Sequence, residues 1–345
     1  MKDVNLVQAE KAKKWAVALL RKCNMDAEGA DIVADILVSA NLRGVDTHGL
    51  VMIRHYVRRF TTIPMQPVRV ILEDDSTCLV DGGANYGMLA AHFAMSRAIE
   101  KAKTHGAGVA SVRNSNHSGA MAYYALMAAD KGCVGISITG GGARMSPWGG
   151  TKAFLGNNPI GIALPGDEFP LVLDMALSVV AYQKLVTSAR EGLPLPEGWA
   201  FDKNGEPTTD PQAGLDGLLA PIGGYKGAGL SVMTDLLCGA LSQGIHADTI
   251  RSVDEYDKPR GNGHFFIAIN VESFLPLPIF KSLVKAYSDR FHAVPARPGA
   301  ELFIPGELEY RTYKDRIVNG FPLTRPAAEQ LNEVAGEFNV EPLVD

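Results

Sequence analysis

Along residues 6–23, LVQAEKAKKWAVALLRKC, the apolar positions Leu6, Ala9, Trp15, Leu19 and Leu20 fall near one face at helical spacing, which predicts an amphipathic helix. Asp26 stands where an N-cap belongs, so a second helix, AEGADIVADILVSANLR, follows. VRVILED and TCLVDGG alternate with a period of two and predict strands, the second closed by a glycine pair. GMLAAHFAMSRAIEKAKTHG returns to the helical period and stops at Gly106.

A regular section follows. AGVASVRN (107–114) predicts a strand, GAMAYYALMAADKG (119–132) a helix and CVGISIT (133–139) a strand, followed by the loop GGGARMSPWGG and the strands IGIALP and FPLVLDMA. Residues 186–222 are rich in proline and glycine and read as a long surface excursion. YKGAGLSVMTDLLCGALSQG (225–244) predicts a nearly all-apolar helix, buried in protein rather than crossing a membrane, because it carries a lysine at its start and an aspartate inside. HFFIAINV is a strand, and the tail predicts two helices, PIFKSLVKAYSDRFHAV and TRPAAEQLNEVAGEF. The expected division is an N-terminal helical part (1–66), a central region of strands and helices (67–275), and C-terminal helices (276–345) that pack with the N-terminal part.

Composition narrows the class. Hydrophobic residues make up 46% and charged residues 21%, as in an ordinary globular protein. A net charge of −5 without a basic block excludes a nucleic-acid footprint. The four cysteines are far apart and form no CxxC, which excludes a disulfide framework or a thiolate zinc site and fits a reducing compartment. MKDVNLVQAEKAKKW has no apolar stretch of signal-peptide type, and no run reaches membrane-span length, so a cytoplasmic protein with no membrane partner is expected. GxGxxG, the P-loop, HExxH and GxSxG are all missing. A dinucleotide would therefore bind without the classical Rossmann turn, and no metal is expected.

Two of the eight histidines have polar company. His48 sits between Thr47 and Gly49 in RGVDTHGL, where a helix should stop; His117 sits in RNSNHSGA, between a strand and a helix. Loops at strand ends let side chains reach a ligand from a rigid frame, and imidazole titrates close enough to neutrality for proton transfer. The plainer alternative for the second motif is that Asn116 or Ser118 caps the next helix. His55, His92, His105, His246, His264 and His292 read as surface or core histidines. In GNNPIGIALP, Asn158 and Pro159 form either a tight turn, with a cis bond as one option, or a set of amide donors for a polar ligand. Asp174 in DMALS either caps a turn or receives a ribose hydroxyl. Lys226 in GGYKGAGL opposes the macrodipole at a helix start, so either an anion compensates it or it is a solvated lysine beside a glycine hinge.

Taken in order, RGVDTHG, NSNHSGA, PWGG, GNNPIG, DMALS, GYKGAGLSVMTDLL and IPGE resemble the second type of malate/L-lactate dehydrogenase family, which includes L-sulfolactate and ureidoglycolate dehydrogenases, 2,3-diketo-L-gulonate reductase and Δ1-piperideine-2-carboxylate reductase. The resemblance spans nearly the whole chain. It implies an α+β, non-Rossmann NAD(P)-binding domain with a largely antiparallel sheet, a helical domain formed by both termini, a homodimer, and NAD or NADP as cofactor, with NAD favoured. It implies His117 and His48 as catalytic acid/base residues. Thr47, Tyr56, Asn116, Arg43 and Met52 fall at the implied substrate pocket. Gly141, Asn158, Pro159, Asp174, Met175, Ala176, Tyr225, Lys226, Pro305, Gly306 and Glu307 fall at implied cofactor positions. The implied reaction is hydride transfer between a 2-hydroxy acid and a 2-keto acid; reduction of a cyclic imine carboxylate and a non-catalytic binding protein are the alternatives.

One position departs from the family. Four residues after the histidine of RGVDTHG, where many members carry an arginine suited to a carboxylate, stands Met52. Arg54 is two residues further on, a rotation of about 200° around a helix, so it points elsewhere. Either another cation such as Arg43 or Arg144 holds the substrate, or the substrate is not a standard malate or lactate.

Overall fold

The computed structural model describes residues 4–344. It opens with β1 (Val4–Val7), then α1 (Ala9–Lys22), α2 (Ala27–Leu42) and α3 (Ile53–Thr62). The expected first helix is therefore shorter at its start: Leu6 lies in a strand paired antiparallel with residues near the C-terminus, and Gln8 begins the turn. Long-range pairing overrides the helical spacing there. Asp26 caps α2, its carboxylate accepting from the Gly29 N–H at 2.6 Å.

Strands β2 (Arg69–Glu73) and β3 (Thr77–Asp81) lead into α4 (Gly87–His105), β4 (Ala107–Ser115), α5 (Met121–Asp130) and β5 (Cys133–Thr139). Gly106 ends α4 at φ 89°, a conformation that favours glycine. The glycine-rich stretch after β5 contains a short strand, β6 (Ala143–Met145), paired with β7 (Leu155–Gly156). The hairpin β8 (Ile160–Leu164) and β9 (Leu171–Met175) follows.

The expected excursion at 186–222 is instead a small folded unit. It contains α6 (Tyr182–Glu191), β10 (Ala200–Phe201), β11 (Pro207–Thr208), α7 (Pro211–Asp216) and β12 (Leu218–Leu219). Leu185, Leu195, Ala200 and Leu219 give it its own core with Met145 and Leu155. Two of its prolines begin elements: Pro207 opens β11, and Pro211 opens α7 behind the Asp210 cap. The chain then runs through α8 (Tyr225–Cys238), β13 (Asn262–Asn270), α9 (Leu277–His292), α10 (Glu307–Asn319), β14 (Phe321–Thr324) and α11 (Arg325–Glu337).

The main sheet has seven strands in the order β2-β3-β4-β13-β5-β8-β9, and only β3–β4 is parallel. A doubly wound nucleotide fold requires a parallel sheet, so this one is of another kind. The two-residue period of β13 serves both faces: Phe266 and Ala268 enter the large core that also takes in α4, whereas Phe265 meets Cys238 of α8. That large core joins both ends of the chain, from Val7 and Trp15 to Leu331 and Leu343. Trp15 Nε1 donates to the Glu341 carbonyl at 2.9 Å.

The expectation for α8 also changes. Gly227, Ala228, Ser231 and Cys238 are buried, but Leu230, Val232, Met233 and Leu236 are exposed. Among the described residues, no helix is long and apolar enough to cross a membrane.

Candidate active site

His117 occupies the turn between the interior strand β4 and α5. Its neighbour Asn116 is buried and spends its amide on the turn: Nδ2 donates to the carbonyls of Ala84 and Asn85, each at 2.9 Å. Gly119, at φ 76°, closes the turn. The turn delivers the His117 ring to Tyr56 of α3, whose hydroxyl lies 2.7 Å from Nδ1. The backbone N–H of Gly119 approaches the same nitrogen at 3.3 Å. Nε2 is left for a ligand.

His48 comes from the short turn Asp46–His48 after α2. Asn41 braces it, donating to Asp46 at 2.7 Å and accepting from the Leu50 N–H at 2.8 Å. Arg316 of α10 holds Asp46 from the other side at 2.8 Å. The residue after His48 is glycine because a Cβ on Gly49 would fall on the Asn41 amide. The Thr47 hydroxyl lies 3.0 Å from His48 Nδ1, and the rings of His48 and His117 stack with centroids 5.7 Å apart.

Burial governs the charges. It holds His117 well below the usual imidazole range, with His48 and Arg260 adding repulsion, and it lowers His48 as well. Both rings are neutral at pH 7. Burial raises the Tyr56 phenol, which stays protonated. Arg260, 7% exposed, is lowered only to about 10 and keeps its charge.

Two cavities meet at these side chains. The larger, about 430 Å³, is lined by His48, Met52, His117, Arg144, Arg260 and the backbone of Gly140–Gly142, among others. The smaller, about 220 Å³, is lined by Arg43, Thr47, Asp174, Met175, Ala176 and Glu309 among others, and shares His48, Gly119, Asn157 and Pro159 with the first. In the smaller one, Asp174 accepts from the Ala122 N–H at 2.7 Å, and burial lifts its pKa to about 6 against the pull of that bond and of Arg43. The Arg43 Nε is buried without a partner. In the larger one, the Gly141 N–H donates to Asn158 Oδ1 at 2.9 Å, and Asn158 is anchored to Ser231 of α8. A Cβ on Gly141 would come within 2.9 Å of Asn157 Oδ1. A guanidinium with one buried, unpartnered nitrogen, a carboxylate already holding a backbone N–H and a close-approach glycine loop fit an extended polar ligand such as a dinucleotide.

The expected site residues separate into groups. His48, His117, Met52, Gly141 and Pro159 line the larger cavity; Thr47, Arg43, Asp174, Met175 and Ala176 line the smaller. Arg43 thus stands beside Asp174 rather than beside His117. Tyr56, Asn116 and Asn158 act from behind, on His117, the turn and the Gly141 loop. Tyr225 and Lys226 are exposed at the start of α8 and line neither cavity. Pro305 and Gly306 pack on Val172, and Glu307 spends its carboxylate on His292, Arg311 and the Ile304 N–H. The Asn158–Pro159 bond is trans, for no cis peptide occurs among the described residues, and Asn158 makes the turn with φ 24°.

Arg260, Asn157 and Glu309 were not legible as site residues. Arg260 lies in DKPRGNG before β13, and an arginine between proline and glycine at a strand entrance is the one signal that singles it out. His264 is structural, bonded to Thr139 at 2.8 Å and Ser115 at 2.9 Å. Arg54 donates to His55 Nε2 at 3.2 Å and lines neither cavity.

A profile of the family described as malate/L-lactate dehydrogenase matches residues 7–332. The chain is 38% identical to malate dehydrogenase of Pyrococcus horikoshii, over 99% of this chain and 98% of that protein. Its structure resembles that of sulfolactate dehydrogenase from Methanocaldococcus jannaschii, with a TM-score of 0.92 at 34% identity over 98% of each chain. It also resembles Δ1-piperideine-2-carboxylate reductase from Pseudomonas syringae, with a TM-score of 0.86 at 26% identity over 96% of this chain and all of the other.

Proposed function

From the premise that the chain belongs to the malate/L-lactate dehydrogenase family, and is a dehydrogenase acting on a CH–OH group, we propose that it interconverts a 2-hydroxy acid and a 2-keto acid with His117 as proton carrier. The observation that carries this is a neutral imidazole, oriented by Tyr56 through Nδ1, in one cavity with the buried cation Arg260. Arg260 anchors the substrate carboxylate, which places the carbinol carbon beside His117. In oxidation, Nε2 of neutral His117 takes the hydroxyl proton; this step uses the tautomer whose Nδ1–H donates to the Tyr56 hydroxyl, in which the 3.3 Å approach of the Gly119 N–H to Nδ1 is not a hydrogen bond. In reduction, the carboxylate arriving beside Arg260 offsets the smaller of the two causes that depress His117, the repulsion from nearby cations, and so favours the protonated ring that delivers the proton against the cost of burial. His48 stacks on His117 and limits water at the reacting centre.

The family is NAD(P)-dependent, and the bound nicotinamide supplies or accepts the hydride. Asp174, Met175, Ala176 and Arg43 would hold the cofactor in the smaller cavity, and the Gly140–Gly142 backbone would hold it in the larger one. Asp174 and Glu309 together disfavour an additional phosphate, which supports NAD over NADP. Gly306 and Lys226 would act on the cofactor indirectly, through Val172 and the start of α8.

The exposed apolar side of α8 supports a homodimer: Leu230, Met233 and Leu236 form a surface a second copy would cover. Sedimentation at low protein concentration tests this.

The deciding assay follows the nicotinamide absorbance with NADH and NADPH against pyruvate, oxaloacetate, 3-sulfopyruvate and a cyclic imine acid. Turnover of a 2-keto acid is expected. Turnover of the imine alone would replace the proposal with C=N reduction, and silence with every pair would leave a binding protein on this fold.

A further inference from the structure

Residues 251–260 form no regular secondary structure between Ile250 and β13, yet Arg251, Ser252, Val253 and Arg260 line the larger cavity. A segment without a ladder must find donors for its carbonyls elsewhere. Here one side chain supplies them. Arg59 of α3, 2% exposed, donates to the carbonyls of Lys258 at 2.6 Å, Val253 at 3.0 Å and Ser252 at 3.2 Å. One helical turn earlier, Tyr56 holds His117, and His55 Nδ1 lies 2.8 Å from the Tyr256 hydroxyl at the tip of the same loop. At the base of the loop, Arg260 Nε donates to the Arg251 carbonyl at 2.9 Å and its backbone N–H to Asn116 at 3.2 Å. A single helix therefore fixes both the imidazole and the wall that faces it.

We propose that Arg59 is a positioning residue that holds loop 251–260, and with it the Arg260 guanidinium, in the geometry that binds the substrate carboxylate. The proposal rests on the larger cavity being the substrate site. The guanidinium reaches these carbonyls from two separated nitrogens in a fixed plane, whereas the three donors of an ammonium radiate from one nitrogen.

The test is Arg59→Met, with Arg59→Lys as the milder variant. The Michaelis constant for the 2-keto acid is expected to rise about tenfold or more, while kcat falls less than about threefold and NAD(P)H affinity changes less than about twofold. Hydrogen exchange across 251–260 should accelerate, and Arg59→Lys should fall between wild type and Arg59→Met. Faster exchange with an unchanged Michaelis constant would overturn the link between loop and substrate. Unchanged exchange would overturn the strap itself, and a proportional loss of kcat and cofactor affinity would mean a general structural role. If Arg59→Met does not fold, Arg59→Lys carries the same split. If wild type turns over no substrate, the reaction reading fails separately; the split is then read from calorimetric binding of oxamate, and equal affinity in wild type and variant overturns the proposal.

Discussion

The turn that carries His117 and the loop that carries Arg260 face one cavity but are held in different ways. The His117 turn leaves the interior strand β4 and enters α5 at Met121, and Asn116 binds two backbone carbonyls beneath it. The Arg260 loop touches that scaffold at its base, where the Arg260 N–H donates to Asn116 Oδ1 at 3.2 Å. Its carbonyls depend on Arg59, and its tip on His55 and Tyr256. On the proposed reading, proton transfer, which tolerates little displacement, falls on the turn that the sheet and Asn116 hold. Carboxylate recognition, as proposed, would fall on a segment held largely by one helix, so substrate choice could change without disturbing the sheet.

The sharpest break in this comparison is His117→Ala. Turnover should drop by about 10²–10⁴-fold while NAD(P)H affinity stays near wild type. Steady-state kinetics and a fluorescence titration measure the two. Near-normal turnover would remove His117 as proton carrier, and a far larger loss in His48→Ala would exchange the two roles.

On the other wall, Arg260→Met should lower kcat/KM for the keto acid by roughly tenfold to a hundredfold, the value of a charge-assisted hydrogen bond. The loss should appear mainly in the Michaelis constant. Should kcat alone fall, Arg260 would be acting on His117 rather than on the carboxylate.

Met52→Arg sharpens the comparison by adding a cation to the larger cavity, which Met52 lines. Activity on oxaloacetate should rise by about tenfold relative to a monocarboxylate such as pyruvate. If wild type already prefers oxaloacetate and the substitution changes nothing, Arg144 is the residue to test, since it lines the same cavity stacked 3.6 Å over the Tyr182 ring.

Turnover at neutral pH changes least in the last comparison, which concerns stability in acid. Burial depresses His264 to about 3 and His55 to about 4, and holds His117 well below its usual range. Below the unfolded pKa, about 6.5, the unfolded chain takes up protons that the folded chain refuses. Stability is therefore full above that value and declines as pH falls towards 4, by at most about 1.4 kcal/mol per pH unit for each of His264 and His55, with His117 adding in the same direction. Urea melts at stepped pH give the slope. His264→Asn should flatten it, and an unchanged slope would mean that His264 is protonated in the folded protein.

Much of this molecule is written locally. The period of Gly87–His105, the alternation in β3 and β13, and the Asp26 cap each act within a few residues, so the elements can be read directly. The motifs around His48 and His117 are legible because glycine, asparagine and hydroxyl residues crowd turns that must carry a side chain outward. What the sequence by itself determined was the class of elements, the family and the two histidines. It did not determine that Leu6 would join a strand with Pro322, or that residues 186–222 would fold around Leu185 and Leu195. Tertiary structure alone decided that Arg260 would meet His117 across an interval of more than a hundred residues, that Arg54 would turn to His55, and that Arg59 would bind the loop. The physical reason is that a buried cation is placed by the carbonyls and cavity that receive it, and those partners come from distant parts of the chain.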